Sequence, residues 1–156
     1  MLASLTFTRA LIGVHVAAVV VAFGGLASYP LLIPLVTRRD PEAVPALLRL
    51  IHTLSSRVLA PGIGVVFALG AILAIHLNAW SHFYVTWGVV AMLAIGSLHG
   101  ALLSPTEQRL IELAEQGQLE GEEYQRQLRR WTVCVALMLA LVLATIIVML
   151  SHPGHG

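Results

Sequence analysis

Four stretches of this chain carry no Asp, Glu, Lys or Arg at all: residues 11–36, 58–79, 83–103 and 131–151. Each is long enough to cross a hydrocarbon core of about 30 Å, which takes about 20 helical residues. A backbone inside lipid must satisfy its own N–H and C=O groups, so such runs read as helices. The alternation of a membrane β-strand is absent. Composition agrees: 58% of the residues are apolar and 11% are charged, against about 25% charged in soluble domains. An ordinary soluble domain and a disordered chain are excluded. Nine Arg, no Lys and eight acids leave a net charge of +1, too little to hold a polyanion, so a nucleic-acid partner is excluded as well. The single cysteine, Cys134, rules out an intrachain disulfide framework.

The expected architecture is all-α: one integral membrane domain over residues 1–156, folded as an antiparallel four-helix transmembrane bundle. The first run exceeds the 7–15 residues of a signal-peptide core and is followed by Arg38-Arg39, so it reads as an uncleaved span. Orientation follows from arginine. Arg38, Arg39, Arg49 and Arg57 lie between the first two spans, and Arg109, Arg126, Arg129 and Arg130 between the last two, whereas the opposite side has only Arg9. The positive-inside rule then places both long loops in the cytoplasm and both termini outside a bacterial inner membrane.

Those loops carry helix signals. Asp40-Pro41-Glu42 reads as an N-cap, an N1 proline and an early acid, opening a helix that runs into the second span with a kink at Pro61. Ser104-Pro105-Thr106-Glu107 reads as a capping box that starts a new segment, Gly117 as its stop, and Glu120, Glu122 and Glu123 as the acidic start of a helix continuing into the fourth span. The loop Arg and Glu residues read as a headgroup-facing surface. Trp80, Phe83, Tyr84 and Trp87 read as an interfacial aromatic belt, with a cofactor pocket as the alternative. Small residues at helical spacing offer packing stripes: Ala18, Ala22, Gly25; Ala60, Gly64, Ala68; Gly88 and Gly96 around Met92; and Ala136, Ala140, Ala144.

The seven histidines are the most informative chemistry. At about 1.5 Å of rise per residue, His15 and His76 fall at matching depth, each roughly 12 Å toward the outer face, with His82 and His152 near the rim. His155 lies in the tail. An imidazole in lipid is costly unless bonded, which makes His15 and His76 candidate cofactor ligands. Facing one another they could hold haem b axially. With His82, His152, His155 and the thioether of Met149 they could hold copper or zinc. Cys134, Met138, Thr145 and Met149 share a stripe, which reads first as packing and second as a sulfur ladder. His99 reads as an interhelical hydrogen-bonding residue or as half of a proton relay with His52.

The segment from His15 to Leu26, with Gly24-Gly25 near its end, resembles the first helix of an uncharacterised bacterial four-helix membrane family, the domain of unknown function numbered twenty-two sixty-nine. The dibasic Arg38-Arg39, the Arg57-to-Pro61 segment and Trp87 extend that resemblance. The same first helix is distantly similar to the copper resistance protein D family, which implies copper handling and a role for His15, Gly24 and Gly25. It also resembles the four-helix, haem-associated protoporphyrinogen oxidases, but that group uses a lysine and this chain has none. The functions these readings allow are a haem- or copper-binding membrane protein, a non-catalytic subunit or scaffold whose histidines pack helices, and a small transporter. The expected partners are the lipid bilayer and either a second copy or a larger membrane complex.

Overall fold

The structure, a computed structural model, describes residues 2–151, with the side chains of residues 2–5 left out of the description. His152 and His155 lie outside the described residues. Among those described, all regular structure is helical, in five helices. They are α1 (Leu2–Phe23), α2 (Tyr29–Arg39), α3 (Pro41–His76), α4 (Phe83–Glu115) and α5 (Glu122–Ser151). All but α2 are long and apolar enough to cross a membrane.

The first apolar run is not one helix over 11–36. Helix α1 starts near the N-terminus and ends at Phe23, and the chain turns through residues 24–28 before α2. Adjacent glycines each cost a helix about 1 kcal/mol relative to alanine, and Pro30 suits only the first turn of the next one. The turn is closed by Leu26 N–H donating to Phe23 O at 3.0 Å and by Ser28 Oγ donating to Gly25 O at 2.7 Å.

Helices α3 and α4 are each interrupted by a wider π turn, at Ser55–Leu59 and at His99–Leu103. A proline follows each at the same interval, Pro61 and Pro105. Proline has no N–H for the carbonyl four residues back and its ring crowds that group. Those carbonyls belong to Arg57 and Ala101, both inside the π turns, whose looser winding takes up the crowding. The helix therefore survives the proline. As expected, α3 runs from Pro41 into its apolar segment, although the Asp40 side chain makes no cap bond. The capping box at Ser104 is not formed. Ser104 is itself helical (φ −58°, ψ −49°), and α4 passes through it without a break. The true stops are left-handed residues. Gly117 (φ 71°) ends α4, with Gln118 N–H reaching back to Leu113 O at 3.0 Å, and Asn78 (φ 49°) ends α3, with Ala79 N–H on Ala74 O at 2.9 Å. Glu122 and Glu123 stand in the first turn of α5, as expected.

Helices α1 and α3 meet at Ala22 with Gly62, His15 with Gly70, and Thr8 with His76, so contacts ascend one helix and descend the other. The packing face of α3 is Gly62, Val66, Gly70 and Ala74, not the anticipated Ala60-Gly64-Ala68, since Gly64 and Ala68 are exposed. On α5 the buried face is Cys134, Met138 and Val142, while Ala136 and Ala140 lie outside it. The α4 stripe holds as read: Gly88 is buried with Ala91 and Ile95, and Gly96 meets Ile63. Gly25 lies against the Tyr29 hydroxyl, and Gly24 tucks against the Val20 carbonyl, so both serve the turn.

The small residues that matter are separable by experiment. A Cβ at Gly62 would stand 2.7 Å from Ala22 Cβ, while one at Gly64 would meet nothing within 4 Å. Gly62→Ala should lower stability by about 1–3 kcal/mol through overpacking. Gly64→Ala should be neutral or stabilise by up to about 1 kcal/mol through helix propensity. Unfolding of both variants in detergent measures the difference.

Candidate functional site

Two polar features stand out against the apolar background, one toward each end of the long helices. Toward the α3–α4 turn, a cavity of about 100 Å³ lies between α1, α3, α4 and α5. His15, Phe23, Phe67, Gly70, Trp80, Met92, Ile95, Thr145 and Met149 are among its lining residues. Its polar furnishing is sparse. His15 Nδ1 is buried without a hydrogen-bond partner. Thr145 Oγ1 is engaged, accepting from Trp87 Nε1 at 3.2 Å and donating to Leu141 O at 2.8 Å. Met149 rests with its methyl against Gly88, at the position that lets the α4 and α5 backbones close on each other.

The structure does not bring His15 and His76 together. His15 packs on Gly70, and His76 Nε2 pairs with Thr8 Oγ1 at 3.1 Å while its ring meets Phe7 edge-on. Gly70 and His76 are six residues apart on α3, which separates the two imidazoles by roughly 9 Å along the helix axis. The matching depth had assumed a first span centred inside 11–36. With α1 running from Leu2 to Phe23, the register moves. His82 is also apart, with its Nδ1 hydrogen-bonded to Ala79 O at 3.2 Å and its ring tilted over Tyr84. Among the described residues no three His, Cys, Asp or Glu side chains cluster as a metal site. Of the anticipated ligands, His15 and Met149 do share one cavity, and Met92 joins them. Of the aromatic belt, Trp80 lines the cavity, and Trp87 is tied to it through Thr145.

The second feature lies near the arginine-rich ends, where the two π turns face each other. Ser55 and His99, the first residue of each turn, are joined by a 3.0 Å hydrogen bond between Oγ and Nε2. About two turns further along α4, the Glu107 carboxylate is buried, with 2% of the residue exposed. It accepts Trp131 Nε1–H at 3.3 Å and pairs with His52 Nδ1 at 2.9 Å. Ser55 lies within electrostatic reach of the Glu107 carboxyl. A carboxylate out of water is tolerated only when its oxygens are paired and hydrogen-bonded, and here α3 and α5 supply the partners. His99 thus does link helices, as its sequence reading held.

The chain matches no protein-family model, no curated protein and no solved structure.

Glu107 was missed in the sequence because Ser-Pro-Thr-Glu at a span boundary reads as a helix start, where the acid serves the cap. A signal was available. Ser55 and His99 each stand six residues before a proline, which marks paired π turns, and Glu107 follows His99 by eight residues on the same helix. The exposed loop pairs, Arg49 with Glu115 at 2.6 Å and Arg109 with Glu112 and Glu123, are surface contacts as expected. Removing the buried acid tests the difference. Glu107→Ala should cost about 3–5 kcal/mol by breaking a buried pair, and Glu107→Gln about 1 kcal/mol, since the amide oxygen still accepts from Trp131. Breaking the exposed Arg49–Glu115 pair should cost under about 1 kcal/mol. Denaturant unfolding in detergent, followed by Trp131 fluorescence, reads all three.

Proposed function

We propose that this chain is a multi-pass membrane protein, an antiparallel bundle with its arginine-rich ends in the cytoplasm, that binds a copper(I) ion in the cavity at His15. Four helices of sufficient length support the spanning reading. So do large apolar side chains left uncovered, such as Leu31 at 72%, Val21 at 69% and Leu150 at 74% exposure, which suit lipid and not water. The opposed register of α1 and α3 supports antiparallel packing.

One observation carries the ligand assignment. His15 offers a buried nitrogen with no partner, in a cavity whose wall also holds two thioethers, Met92 and Met149. Imidazole with thioether is a soft donor set, suited to copper(I) over zinc or magnesium. Its lining residues include no carboxylate to compete for the ion, and most of its wall is apolar. Such an ion would pass on by exchange of soft ligands. A cavity of about 100 Å³ is small beside the roughly 300–1,000 Å³ of drug-sized ligand sites, which favours an ion or a very small molecule over haem b. A second reading, a small apolar molecule that donates one hydrogen bond to His15, draws support from the aromatic wall of Phe23, Phe67 and Trp80. A scaffold with purely packing histidines leaves the bare His15 nitrogen unexplained.

The protein purified anaerobically in detergent should carry copper and show no Soret band. His15→Ala should lose the metal, Met149→Leu should weaken it against a copper(I) chelator, and His76→Ala should leave it unchanged. Metal-free protein that also takes up no added copper(I) would sink the assignment, and a Soret band would reinstate haem. For orientation, a reporter enzyme active only outside the cytoplasm should work when fused after the last residue and fail when inserted at Gly117.

A further inference from the structure

A groove of about 140 Å³ lies on the flank of the bundle where α1 gives way to α2. Val21 of α1, Gly25 and Leu26 of the turn, Tyr29 of α2, and Leu54 and Val58 of α3 are among its lining residues. Residues on both sides of the Gly24-Gly25 break meet the π turn of α3 there, so the groove is a product of the broken first apolar run. Val21, Leu54 and Val58 are exposed, so its mouth is open and apolar. Arg57 stands at the edge. It precedes Val58 in the π turn Ser55–Leu59 and is three residues from Leu54, which puts it on the same flank of α3. Its side chain forms no ion pair among the described residues. No Asp or Glu occurs between Glu42 and Glu107, and Glu107 is buried and committed to His52 and Trp131. Arg49 and Arg109, by contrast, are neutralised by Glu115 and by Glu112 and Glu123.

Depth decides what such a groove meets. His76, bonded to Thr8 beside Arg9, stands 19 residues beyond Arg57 on α3. That is roughly 28 Å at about 1.5 Å of rise per residue, close to the about 30 Å of a hydrocarbon core. Arg9 and Arg57 therefore bracket one hydrocarbon thickness, and the groove runs from the Arg57 boundary inward along the α1–α3 seam. We propose that the groove binds an anionic phospholipid of the arginine-rich leaflet, with one acyl chain against Val21, Leu26, Leu54 and Val58 and the headgroup phosphate on Arg57. The guanidinium offers paired N–H donors that match phosphate oxygens. A zwitterionic lipid brings the same phosphate with its own cation, so an uncompensated arginine favours the lipid of net negative charge. Tyr29, an amphipathic ring in the groove lining near this boundary, suits the headgroup level. The bound lipid would tie the α1–α2 turn to the π turn of α3. The proposal rests on the membrane-spanning reading but not on the identity of the ligand at His15.

Full-length protein, stripped of lipid in a neutral detergent, is given dioleoylphosphatidylglycerol, dioleoylphosphatidylcholine or inorganic phosphate. Native mass spectrometry counts what binds, and thermal unfolding reads the shift in Tm. Phosphatidylglycerol should bind several-fold tighter than phosphatidylcholine, saturate at one tight lipid per chain and raise Tm, while phosphate alone should do neither. Arg57→Gln should erase the preference between the two lipids. Val58→Trp, which fills the groove, should weaken both. Arg126→Gln, an exposed arginine on α5 away from the groove, should bind like the parent. Should Val58→Trp fail to fold by circular dichroism, Arg57→Gln decides, since its side chain is exposed. Equal binding of the two lipids by the parent, a parent-like preference in Arg57→Gln, or an equal loss in Arg126→Gln overturns the proposal. Saturable binding of phosphate alone overturns it in favour of a free-anion site, and a lipid-resistant dimer abolished by Val58→Trp overturns it in favour of a second copy. Protein that does not float with lipid vesicles overturns the spanning reading and takes this proposal with it. Copper uptake that is intact in Arg57→Gln separates the two sites.

Discussion

Taking the Glu107 carboxylate out of water dictates how three helices must meet. A buried charge without partners costs several kcal/mol, so α3 has to present His52, and α5 has to present Trp131, at hydrogen-bonding distance from a single point on α4. That requirement fixes the rotation of each helix about its own axis. Around the polar point, Ile51, Leu103, Leu110 and Val135 are buried to within 2% of complete and exclude water. Between segments that share apolar faces all round, few other interactions could select one rotation, because lipid rewards apolar contact on every side equally.

The two prolines work to the same end by a backbone route. Each would break an ordinary helix, yet each is preceded by a π turn that accommodates it and shifts the residues upstream by a fraction of a turn. Ser55 and His99 open those turns and bond to each other. A sequence feature that looks disruptive is thus what allows two apolar helices to share a polar contact. The other end of the bundle uses smallness. Gly62 and Gly70 admit Ala22 and His15, and Gly88 admits Met149. Close approach there leaves a cavity whose main uncommitted polar atom is His15 Nδ1. One chain thus holds a cluster of hydrogen-bonded polar side chains at one end and, at the other, an apolar cavity with the buried, unpartnered Nδ1 of His15.

Much of the architecture was legible in the residues themselves. The helix from Pro41 through Pro61, the stop at Gly117, the acidic start at Glu122-Glu123 and the existence of four apolar helices all follow from uncharged runs and local cap chemistry, which act over a few residues. Several readings failed, and each needed a neighbour to be judged. Residues 11–36 contain no charge, so only the Gly24-Gly25 turn and its closing bonds reveal two helices. Ser104 through Glu107 satisfies a capping pattern locally, but the π turn before it keeps the helix intact and frees Glu107 for the interior. The small-residue spacing picked Gly64, while the face that meets α1 is centred two residues away at Gly62.

The histidines divide along the same line. Sequence alone determined that this chain is helical and membrane-like in its apolar segments, and that imidazoles are the chemistry worth following, because hydropathy and residue type are properties of single positions and short windows. Only the tertiary structure decided that His15 and His76 sit in different places, that His15 shares a cavity with Met92 and Met149, that His52 and Trp131 converge on Glu107, and that Ser55 bonds His99. Those facts depend on helix register and rotation. A six-residue offset in register or a two-residue turn of a face changes every partner while leaving the local sequence pattern untouched, so no window along the chain records them.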